Sequence, residues 1–365
     1  MAPVVRLLSA TPAIESRVAV TAQHRRMLDQ VLDLFDILPD DDLNLMAPGQ
    51  GLSEITGGIL AGLGHVLEDF APDLVLLHGD TTTTLAASLA AYYRRIAVGH
   101  VEAGLRTGNI HAPWPEEVNR RVAGVIARLH FAPTEQARQS LLAENIPEAH
   151  IFVTGNTVID ALRHMVRRLD ADSSLGADLD ARFGIDAAQR LILVTGHRRE
   201  SFGDGIARIC DALARLAQRD DIRIIYPVHL NPHVLGPVKR RLGGLERVSL
   251  VPPQDYLTFV HLMRRAALIL TDSGGVQEEA PTLGTPVLVM RATTERPEAV
   301  ASGAVRLVGA DAEAIFREAS RLLDDPAAHS AMARASSPYG DGQAAQRIRD
   351  AILAWAQSRQ SGSAR

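Results

Sequence analysis

Short apolar runs alternate with amphipathic helical segments along this 365-residue chain. Most of the runs are apolar at consecutive positions, which is typical of parallel strands covered on both faces. Helical patterns such as Thr84–Arg94 and Ile206–Arg219 lie between them. This order predicts an α/β protein with doubly wound parallel sheets. The predicted strands are Val18–Thr21, Leu74–His78, Ile96–His100, Leu129–Ala132, Ile151–Thr154, Leu191–Thr195, Arg223–Val228, Val248–Val251, Leu268–Thr271, Pro286–Val289 and Val305–Val308.

The length favours two domains, because one hydrophobic core rarely serves so long a chain. A polar stretch rich in Asp, Ala and Ser, Arg167–Arg190, separates two groups of strands. We therefore predict a first domain over residues 1–166 and a second over 167–343, with residues 344–365 forming a last helix and a frayed tail. The chain opens on a helical pattern, Pro3–Ser9, where such a domain normally opens on a strand. We accordingly expect the first strand of the N-terminal domain to be missing.

Composition narrows the class of protein. The chain is 46% hydrophobic with a net charge of −5, which argues against a nucleic-acid partner because phosphate binding needs a basic surface. No apolar run is long enough to cross a membrane and the start does not resemble a signal peptide, so we expect a cytoplasmic protein without a membrane partner. The single cysteine, Cys210, excludes an internal disulfide and a multi-cysteine zinc site.

Polar residues follow the predicted strands, where open parallel sheets bind ligands. The run Thr271–Glu279 reads Thr-Asp-Ser-Gly-Gly-Val-Gln-Glu-Glu. Ser273, Gly274 and Gly275 would let backbone N–H groups approach a pyrophosphate at the start of a helix. Glu279, one turn on, could accept hydrogen bonds from ribose hydroxyls. A capped turn without a ligand fits this run equally well.

Two further strand ends carry cations. His197 lies between Gly196 and paired arginines, which favours a phosphate contact or a proton donor to a leaving group. Arg296 follows a later strand and could clamp the same phosphates, or it could form a surface ion pair with Glu295 or Glu298.

Acidic residues follow the strands of the first half. Asp80 begins the run Asp-Thr-Thr-Thr-Thr, Glu102 follows the next strand, and Glu116 stands in Pro-Trp-Pro-Glu-Glu. Three carboxylates near one crevice would repel one another and raise at least one pKa, which suits general acid–base catalysis. Separate solvated acids that cap helices are the alternative, and Asp80 in particular could be a plain N-cap.

Common cofactor motifs are absent from the sequence. There is no Gly-x-Gly-x-x-Gly, Walker A loop, His-Glu-x-x-His or Gly-x-Ser-x-Gly, so NAD, a P-loop nucleotide, a zinc protease site and a serine hydrolase are not supported.

Gln254 and Phe259 lie between a strand and a helix, where an amide and an aromatic ring could recognise a base.

Six motifs together resemble the non-hydrolysing UDP-N-acetylglucosamine 2-epimerases of bacteria, in order and over essentially the whole chain. They are His78-Gly-Asp-Thr-Thr-Thr-Thr, Gly99-His-Val-Glu-Ala-Gly-Leu-Arg, Pro113-Trp-Pro-Glu-Glu, Thr195-Gly-His-Arg-Arg-Glu, Thr271-Asp-Ser-Gly-Gly-Val-Gln-Glu-Glu and Thr294-Glu-Arg-Pro-Glu. The resemblance implies two Rossmann-like domains in a glycosyltransferase-B-like arrangement, with a cleft between them and a C-terminal helix that crosses back to the first. It also implies a homodimer that needs no NAD and no obligatory metal.

The resemblance implies a reaction and a role for each residue. UDP-GlcNAc and UDP-ManNAc would interconvert by loss and return of UDP through 2-acetamidoglucal, which supplies precursors of surface polysaccharides. The acid–base set would be Asp80, Glu102 and Glu116, with Arg120 beside them, and His197 would act with Arg296 on the diphosphate. Ser273, Gly274 and Gly275 would hold phosphate, Glu279 the ribose, and Gln254 and Phe259 the uridine.

Two features of the family pattern bear on regulation and completeness. Gln23, Glu116, Arg198 and His229 match positions of a regulatory UDP-GlcNAc site, whereas Arg26 and Gly49 depart from it. The family also has a strand, an Arg and a Lys ahead of Met1-Ala-Pro. Their absence leads us to expect weak stability or activity.

Three other functions remain open from the sequence. A hydrolysing relative would release ManNAc and UDP, although the intact Pro-Glu-Glu and Gly-His-Arg-Arg-Glu runs favour the non-hydrolysing type. A glycosyltransferase of similar architecture is less favoured, because three acids beside a Gly-His-Arg loop are more than sugar transfer requires. A remnant that binds a UDP-sugar without turnover is the third possibility.

Overall fold

The fold of the protein was analysed in a computed structural model, which describes residues 1–22, 25–45, 47, 49–186, 188–198 and 202–363. The chain divides into two compact units. The first contains Met1–Ala161 together with Tyr339–Arg365, and the second contains Leu162–Pro338. The first division therefore falls earlier in the chain than the polar stretch Arg167–Arg190.

Helices and strands alternate through both units. Up to the first division they are α1 Ala2–Ser9, β1 Ala19–Val20, α2 Arg25–Leu34, β2 Asp41–Asp42, α3 Leu52–Phe70, β3 Leu74–His78, α4 Thr82–Tyr93, β4 Ala97–Val101, α5 Glu116–Ile126, β5 Leu129–Ala132, α6 Glu135–Ala143, β6 Ile151–Val153 and α7 Thr157–Ala171, which contains the division. A short 3-10 helix, Glu148–His150, precedes β6.

The remaining elements follow in the same rhythm. They are α8 Ser173–Phe183, β7 Arg190–Thr195, α9 Asp204–Leu216, β8 Ile222–Pro227, α10 Pro232–Leu242, β9 Val248–Val251, α11 Tyr256–Arg265, β10 Ala266–Thr271, α12 Gly274–Thr282, β11 Val287–Val289, α13 Pro297–Ala301, β12 Val305–Leu307, α14 Ala312–Asp324, α15 Pro326–Ala333 and α16 Ala344–Ser363.

The first unit contains a four-stranded parallel sheet in the order β3-β4-β5-β6, and β1 pairs with β2. The register places His78 opposite Val101 at the carboxyl ends of β3 and β4. The residues that follow these two strands are therefore neighbours. Asp80 and Glu102 thus leave the sheet at the same edge.

The C-terminal helix is part of the first unit and is held there by apolar and polar contacts. Ile348 and Ile352 of α16 share a buried cluster with Val4 and Leu8 of α1 and with sheet residues. The carboxylate of Asp160 on α7 accepts hydrogen bonds from the first two backbone N–H groups of α16, Ala344 at 3.1 Å and Ala345 at 2.9 Å. A helix start leaves its N–H groups without intrahelical partners, so this remote cap fixes where α16 begins.

The second unit contains a six-stranded parallel sheet in the order β12-β11-β10-β7-β8-β9. Strands β8 and β9 follow on one side of β7, and β10, β11 and β12 lie on its other side. The order thus reverses between β7 and β10, which is where doubly wound sheets bind ligands. Fully buried Ile192, Leu268 and Leu213 belong to the core cluster behind this point.

The predicted α/β class with parallel sheets is confirmed, since every strand pair recorded is parallel. The predicted strands recur within a few residues of the observed ones. β2 was not predicted, because its two aspartates give no apolar signal.

Candidate active site

The turn after β3 presents Asp80 without using it as a helix cap. Gly79 adopts a positive φ of 68°, which lets the chain turn sharply at the strand end. The N-cap of α4 is Thr81, whose hydroxyl accepts a hydrogen bond from the Thr84 backbone N–H at 3.2 Å. The alternative that Asp80 is only an N-cap is therefore wrong. Its carboxylate is instead directed to Arg120, which donates from Nη2 to Oδ2 at 2.5 Å.

Glu102 directly follows β4 and has a strained backbone conformation. Its φ is +61°, a left-handed value that non-glycine residues seldom adopt and that often marks functional sites. Its Oε2 accepts a hydrogen bond from Nδ2 of Asn156 at 2.9 Å. A Cβ built on Gly79 would lie 3.4 Å from Oε1 of Glu102, so the acid lies against the turn that carries Asp80.

Helix α5 brings the third acid and the cation. Glu116 is its first residue and is half-buried. Arg120 lies four positions later, so the two side chains share a face of the helix. The helix also donates from Asn119 Nδ2 to the backbone oxygen of Asp80 at 2.9 Å. Side chain and backbone of Asp80 are thus both held by α5.

Glu117, which the sequence analysis did not single out, supports this arrangement from inside. Its side chain is completely buried, and it accepts hydrogen bonds from the backbone N–H groups of Thr107 at 3.1 Å and Gly108 at 3.2 Å. Its Oε2 lies 3.7 Å from Nη1 of Arg120. Glu117 therefore ties the loop before α5 to the cation that binds Asp80. Its spacing of three residues from Arg120 was the only signal in the sequence.

Two histidines, the half-buried His78 of β3 and the fully buried His100 of β4, lie near the acids. Burial lowers the pKa of both His78 and His100 to about 4, so both are neutral near pH 7. Nε2 of His100 lies 2.7 Å from the Gly79 carbonyl, which can only accept, so the imidazole donates its proton there. This bond anchors the turn beneath Asp80 from the sheet side.

In the second unit, Asp272 organises the loop after β7. The end residues of the two central strands, Thr195 and Thr271, touch through their hydroxyls at 2.5 Å. The next residue, Asp272, is fully buried, and its Oδ2 accepts hydrogen bonds from the backbone N–H groups of His197 and Arg198, both at 2.8 Å. The predicted Gly-His-Arg loop is therefore shaped by a carboxylate on the neighbouring strand. In the sequence, Asp272 was predicted only as part of the turn before a helix.

Positive groups converge on the start of α12. Ser273 is the N-cap but makes no side-chain cap bond. A Cβ built on Gly274 would lie 3.9 Å from Nη2 of Arg198 and 4.0 Å from Nη2 of Arg296. Two guanidinium groups thus flank a helix N-terminus, which itself favours anions. The arrangement can hold a phosphate or a diphosphate.

Arg296 is held in this place by residues of α12 and its own loop. Its Nε donates to the buried carboxylate of Glu278, and its backbone N–H donates to the Thr294 hydroxyl at 3.0 Å. The carboxylate of Glu295 pairs with Arg291 at 2.8 Å. Burial would raise the pKa of Glu295, yet that ion pair and further cations bring it down to about 2.

Glu279 is buried beside the same helix start. Burial raises its pKa to about 7, opposing a 2.5 Å hydrogen bond from the Tyr256 hydroxyl, which lowers it. A Cβ built on Gly275 would lie 3.8 Å from Oε2 of Glu279, so the carboxylate lies next to the glycine pair. Tyr256 is a further residue that sequence reasoning passed over. It sits at the first position of α11, three residues before the predicted Phe259.

The other predicted binding residues make local contacts or are partly exposed. Gln254 uses its amide locally, accepting from Arg182 Nη2 at 3.1 Å and donating to the Pro252 carbonyl at 2.5 Å. Phe259 is half-buried on α11. His229 is exposed and stacks on His197 with ring centroids 5.7 Å apart. Gln23 lies outside the described residues, so its predicted regulatory role stays a prediction.

Among the described residues, no three His, Cys, Asp or Glu side chains are grouped so as to hold a metal ion. No helix among those residues is long and apolar enough to cross a membrane.

The second unit carries two guanidinium groups beside a helix start at its switch point, which is typical of α/β enzymes that bind phosphorylated ligands. A family model described as UDP-N-acetylglucosamine 2-epimerase matches residues 6–353. The chain therefore belongs to the UDP-N-acetylglucosamine 2-epimerase family.

Individual relatives agree with this assignment. The UDP-N-acetylglucosamine 2-epimerase of Escherichia coli strain K12 is 60% identical over 96% of this chain and 94% of its own length. The Salmonella typhimurium enzyme of the same name is 59% identical over 97% and 95%. The crystal structure of UDP-GlcNAc 2-epimerase from Neisseria meningitidis bound to UDP-GlcNAc is 50% identical over 97% and 95%, with a TM-score of 0.92. The α/β fold with parallel sheets, of the glycosyltransferase-B-like class that the resemblance implied, is confirmed.

Proposed function

We propose that this chain interconverts UDP-N-acetylglucosamine and UDP-N-acetylmannosamine by inverting C2 of the sugar. The observation that carries the proposal is the pair of guanidinium groups of Arg198 and Arg296, which flank the glycine start of α12. Family membership supports the same reaction.

The chemistry of the sugar explains why acid–base groups and phosphate-binding groups are both needed. C2–H of the sugar is not next to a carbonyl, so it is hard to ionise on its own. If the C1–O bond breaks and its electrons leave on the β-phosphate oxygen of UDP, positive charge develops at C1. The C2–H electrons then form the C1=C2 bond of 2-acetamidoglucal while a carboxylate takes the proton. Protonation of C2 on the other face and return of the UDP oxygen to C1 complete the inversion.

The second unit supplies the groups that a departing UDP requires. Arg198, Arg296 and the N–H groups at Gly274 and Gly275 would stabilise the charge that develops on the β-phosphate, which is the main demand of such a step. Glu279 would accept hydrogen bonds from ribose hydroxyls. Gln254 and Phe259 would contact uridine.

The first unit supplies the acids and bases. Asp80, Glu102 and Glu116 would move protons at C2, and Arg120 orients Asp80. The two strand-end acids have different hydrogen-bond donors: Arg120 donates to Asp80, and the Asn156 amide donates to Glu102.

Deuterium exchange tests the reaction directly. The chain is incubated with UDP-GlcNAc in heavy water, and the C2 position and the epimer ratio are followed by NMR. We expect UDP-ManNAc to form and deuterium to enter C2. Asp80→Asn, Glu102→Gln and Glu116→Gln should each lower the rate at least about a hundredfold, the range of general acid–base effects. Glu135→Gln, an exposed acid of α6, is the matched control.

Two other outcomes would redirect the proposal. Free ManNAc as the main product would indicate the hydrolysing reaction. Calorimetric binding of UDP without any exchange at C2 would indicate a UDP-sugar-binding protein without turnover.

The remaining expectations about assembly, location and regulation rest on family resemblance. We propose a cytoplasmic homodimer that feeds surface polysaccharide synthesis and needs neither NAD nor a metal. Light scattering on the purified chain tests the dimer. A second, regulatory UDP-GlcNAc site would involve Gln23, Glu116, Arg198 and His229. A sigmoidal dependence of the rate on UDP-GlcNAc concentration would reveal it.

A further inference from the structure

The buried carboxylate of Asp272 divides its two oxygens between two tasks. Oδ2 accepts the backbone N–H groups of His197 and Arg198. Oδ1 is buried without a hydrogen-bond partner among the described residues, and it lies 3.4 Å from Nδ1 of His197. An unsatisfied buried carboxylate oxygen is costly, so this atom favours a hydrogen bond from the nearest available donor.

The rest of the surroundings define which atom of the imidazole remains available. The side chain of His197 is 41% exposed, whereas that of Asp272 is 1% exposed. One ring face of His197 lies against His229, whose own Nδ1 accepts from the Asn231 N–H at 3.1 Å. With Nδ1 of His197 turned to the buried carboxylate, Nε2 is the nitrogen left for a ligand.

We propose that Asp272 is a positioning residue for His197. Its Oδ2 fixes the loop by accepting two backbone N–H groups, and its Oδ1 accepts a hydrogen bond from Nδ1–H of His197, so that Nε2 faces the departing diphosphate. The inference rests on the proposed function for the identity of that ligand. A carboxylate that orients an imidazole in this way also stabilises its protonated form, in which Nε2–H can donate to a phosphate oxygen.

The charged and titratable groups around His197 act in both directions. Burial lowers its pKa most, Asp272 raises it, and Arg198 and His229 lower it. Asp272 is thus the one influence among these that favours the proton-donating form. Loss of its charge should therefore be visible at His197 itself.

Histidine NMR on the ligand-free full-length chain is the first test. The signals of isotope-labelled His197 are assigned with His197→Gln and titrated in the wild type and in Asp272→Asn. In the wild type we expect the neutral ring to carry its proton on Nδ1. In Asp272→Asn we expect the pKa to fall by about one unit or more, as on loss of a charge within hydrogen-bond range.

The matched control removes a carboxylate charge elsewhere in the unit. Asp311 caps α14 by accepting from the Ala314 N–H at 2.8 Å, and Asp311→Asn should leave the pKa of His197 unchanged. Asparagine at 272 keeps an oxygen that can accept the two backbone N–H groups. If Asp272→Asn nevertheless fails to fold, the wild-type tautomer alone decides, because an Nε2–H neutral ring overturns the proposal. An unchanged pKa and tautomer in a folded variant also overturn it.

Turnover supplies the second readout. Asp272→Asn should lower kcat at least about tenfold with little change in KM, and the alkaline limb of the kcat profile should shift to lower pH together with the His197 pKa. A merely structural role would not move that limb. If the chain proves inactive toward UDP-GlcNAc, the proposed function fails while the NMR result still stands or falls by itself.

Discussion

Arg120 donates a 2.5 Å hydrogen bond from Nη2 to Oδ2 of Asp80, and its Nη1 lies 3.7 Å from the buried carboxylate of Glu117. One cation thus serves two acids, of which one is available for chemistry and the other is sealed inside the unit. The charge of Arg120 is therefore part of the structure as well as of the site.

Replacing Arg120 by Met should destabilise the first unit. The change leaves Glu117 buried without the Arg120 guanidinium, and removing one member of a buried ion pair typically costs about 3–5 kcal/mol. Urea unfolding measures the loss. Arg121→Met is the matched control, since the Arg121 side chain is 46% exposed and pairs with Glu144 at 3.3 Å. Equal losses in the two variants would contradict the prediction.

Glu117→Gln should loosen the loop that precedes α5. Glutamine retains one acceptor oxygen, but it cannot offer charge-assisted bonds to both the Thr107 and the Gly108 N–H groups. Hydrogen exchange should accelerate about tenfold or more at these two amides, which matches the loss of roughly 1.4 kcal/mol of local stability. UDP affinity should not change, because the groups proposed to hold UDP are in the other unit. Unchanged protection at both amides would show that the loop is held by other contacts.

Glu279 should make stability depend on pH. Burial raises its pKa in the folded chain to about 7 from an ordinary value of 4.5. A raised pKa means that its favourable contribution is complete below pH 4.5 and is lost as the pH rises through 7. Glu279→Gln lacks this loss, so the stability difference between variant and wild type should move in favour of the variant from pH 5 to pH 8. Denaturant unfolding at both pH values tests this.

The control for that measurement is Glu313→Gln. The Glu313 side chain is 63% exposed and pairs with Arg215 at the surface. Its substitution should give the same stability difference at both pH values. A pH-independent effect of Glu279→Gln would mean that the pKa of Glu279 is not raised in the folded chain.

Asp160→Ala should release the start of α16. The loss of two backbone caps from a buried carboxylate is expected to cost about 1–2 kcal/mol. Amide exchange at Ala344 and Ala345 should accelerate while the core amides of β4 stay protected. Asp172→Ala, which removes a cap made within α8 of the other unit, is the control and should leave the α16 amides unchanged. Full protection in Asp160→Ala would indicate that the apolar contacts of Ile348 and Ile352 suffice.

The sheets were predictable because their strands are apolar at consecutive positions, and the strand-end motifs followed from the parallel order. What escaped prediction depends on which way a side chain faces. Glu116 and Glu117 are adjacent in the sequence, yet Glu116 is half-buried at the start of α5 and Glu117 is completely buried. Periodicity alone did not show that a carboxylate would occupy the inner face.

Asp272 and Tyr256 escaped for a related reason. Their partners, the His197 loop and Glu279, lie on other elements and are far away in the sequence. Only the pairing of β7 with β10, and the contacts that α11 and α12 both make with β10, bring each pair together. Local chemistry could suggest a phosphate turn, but it could not reveal which buried groups hold that turn in place.

The return of α16 to the first unit has a consequence for biosynthesis. A ribosome completes Leu162–Pro338 before it reaches the segment Tyr339–Arg365 that the earlier unit needs. Until that segment has been made, the first unit exposes the apolar surface that Ile348 and Ile352 will cover. The usual order, in which the N-terminal domain is complete before the next one is synthesised, therefore cannot apply to this chain.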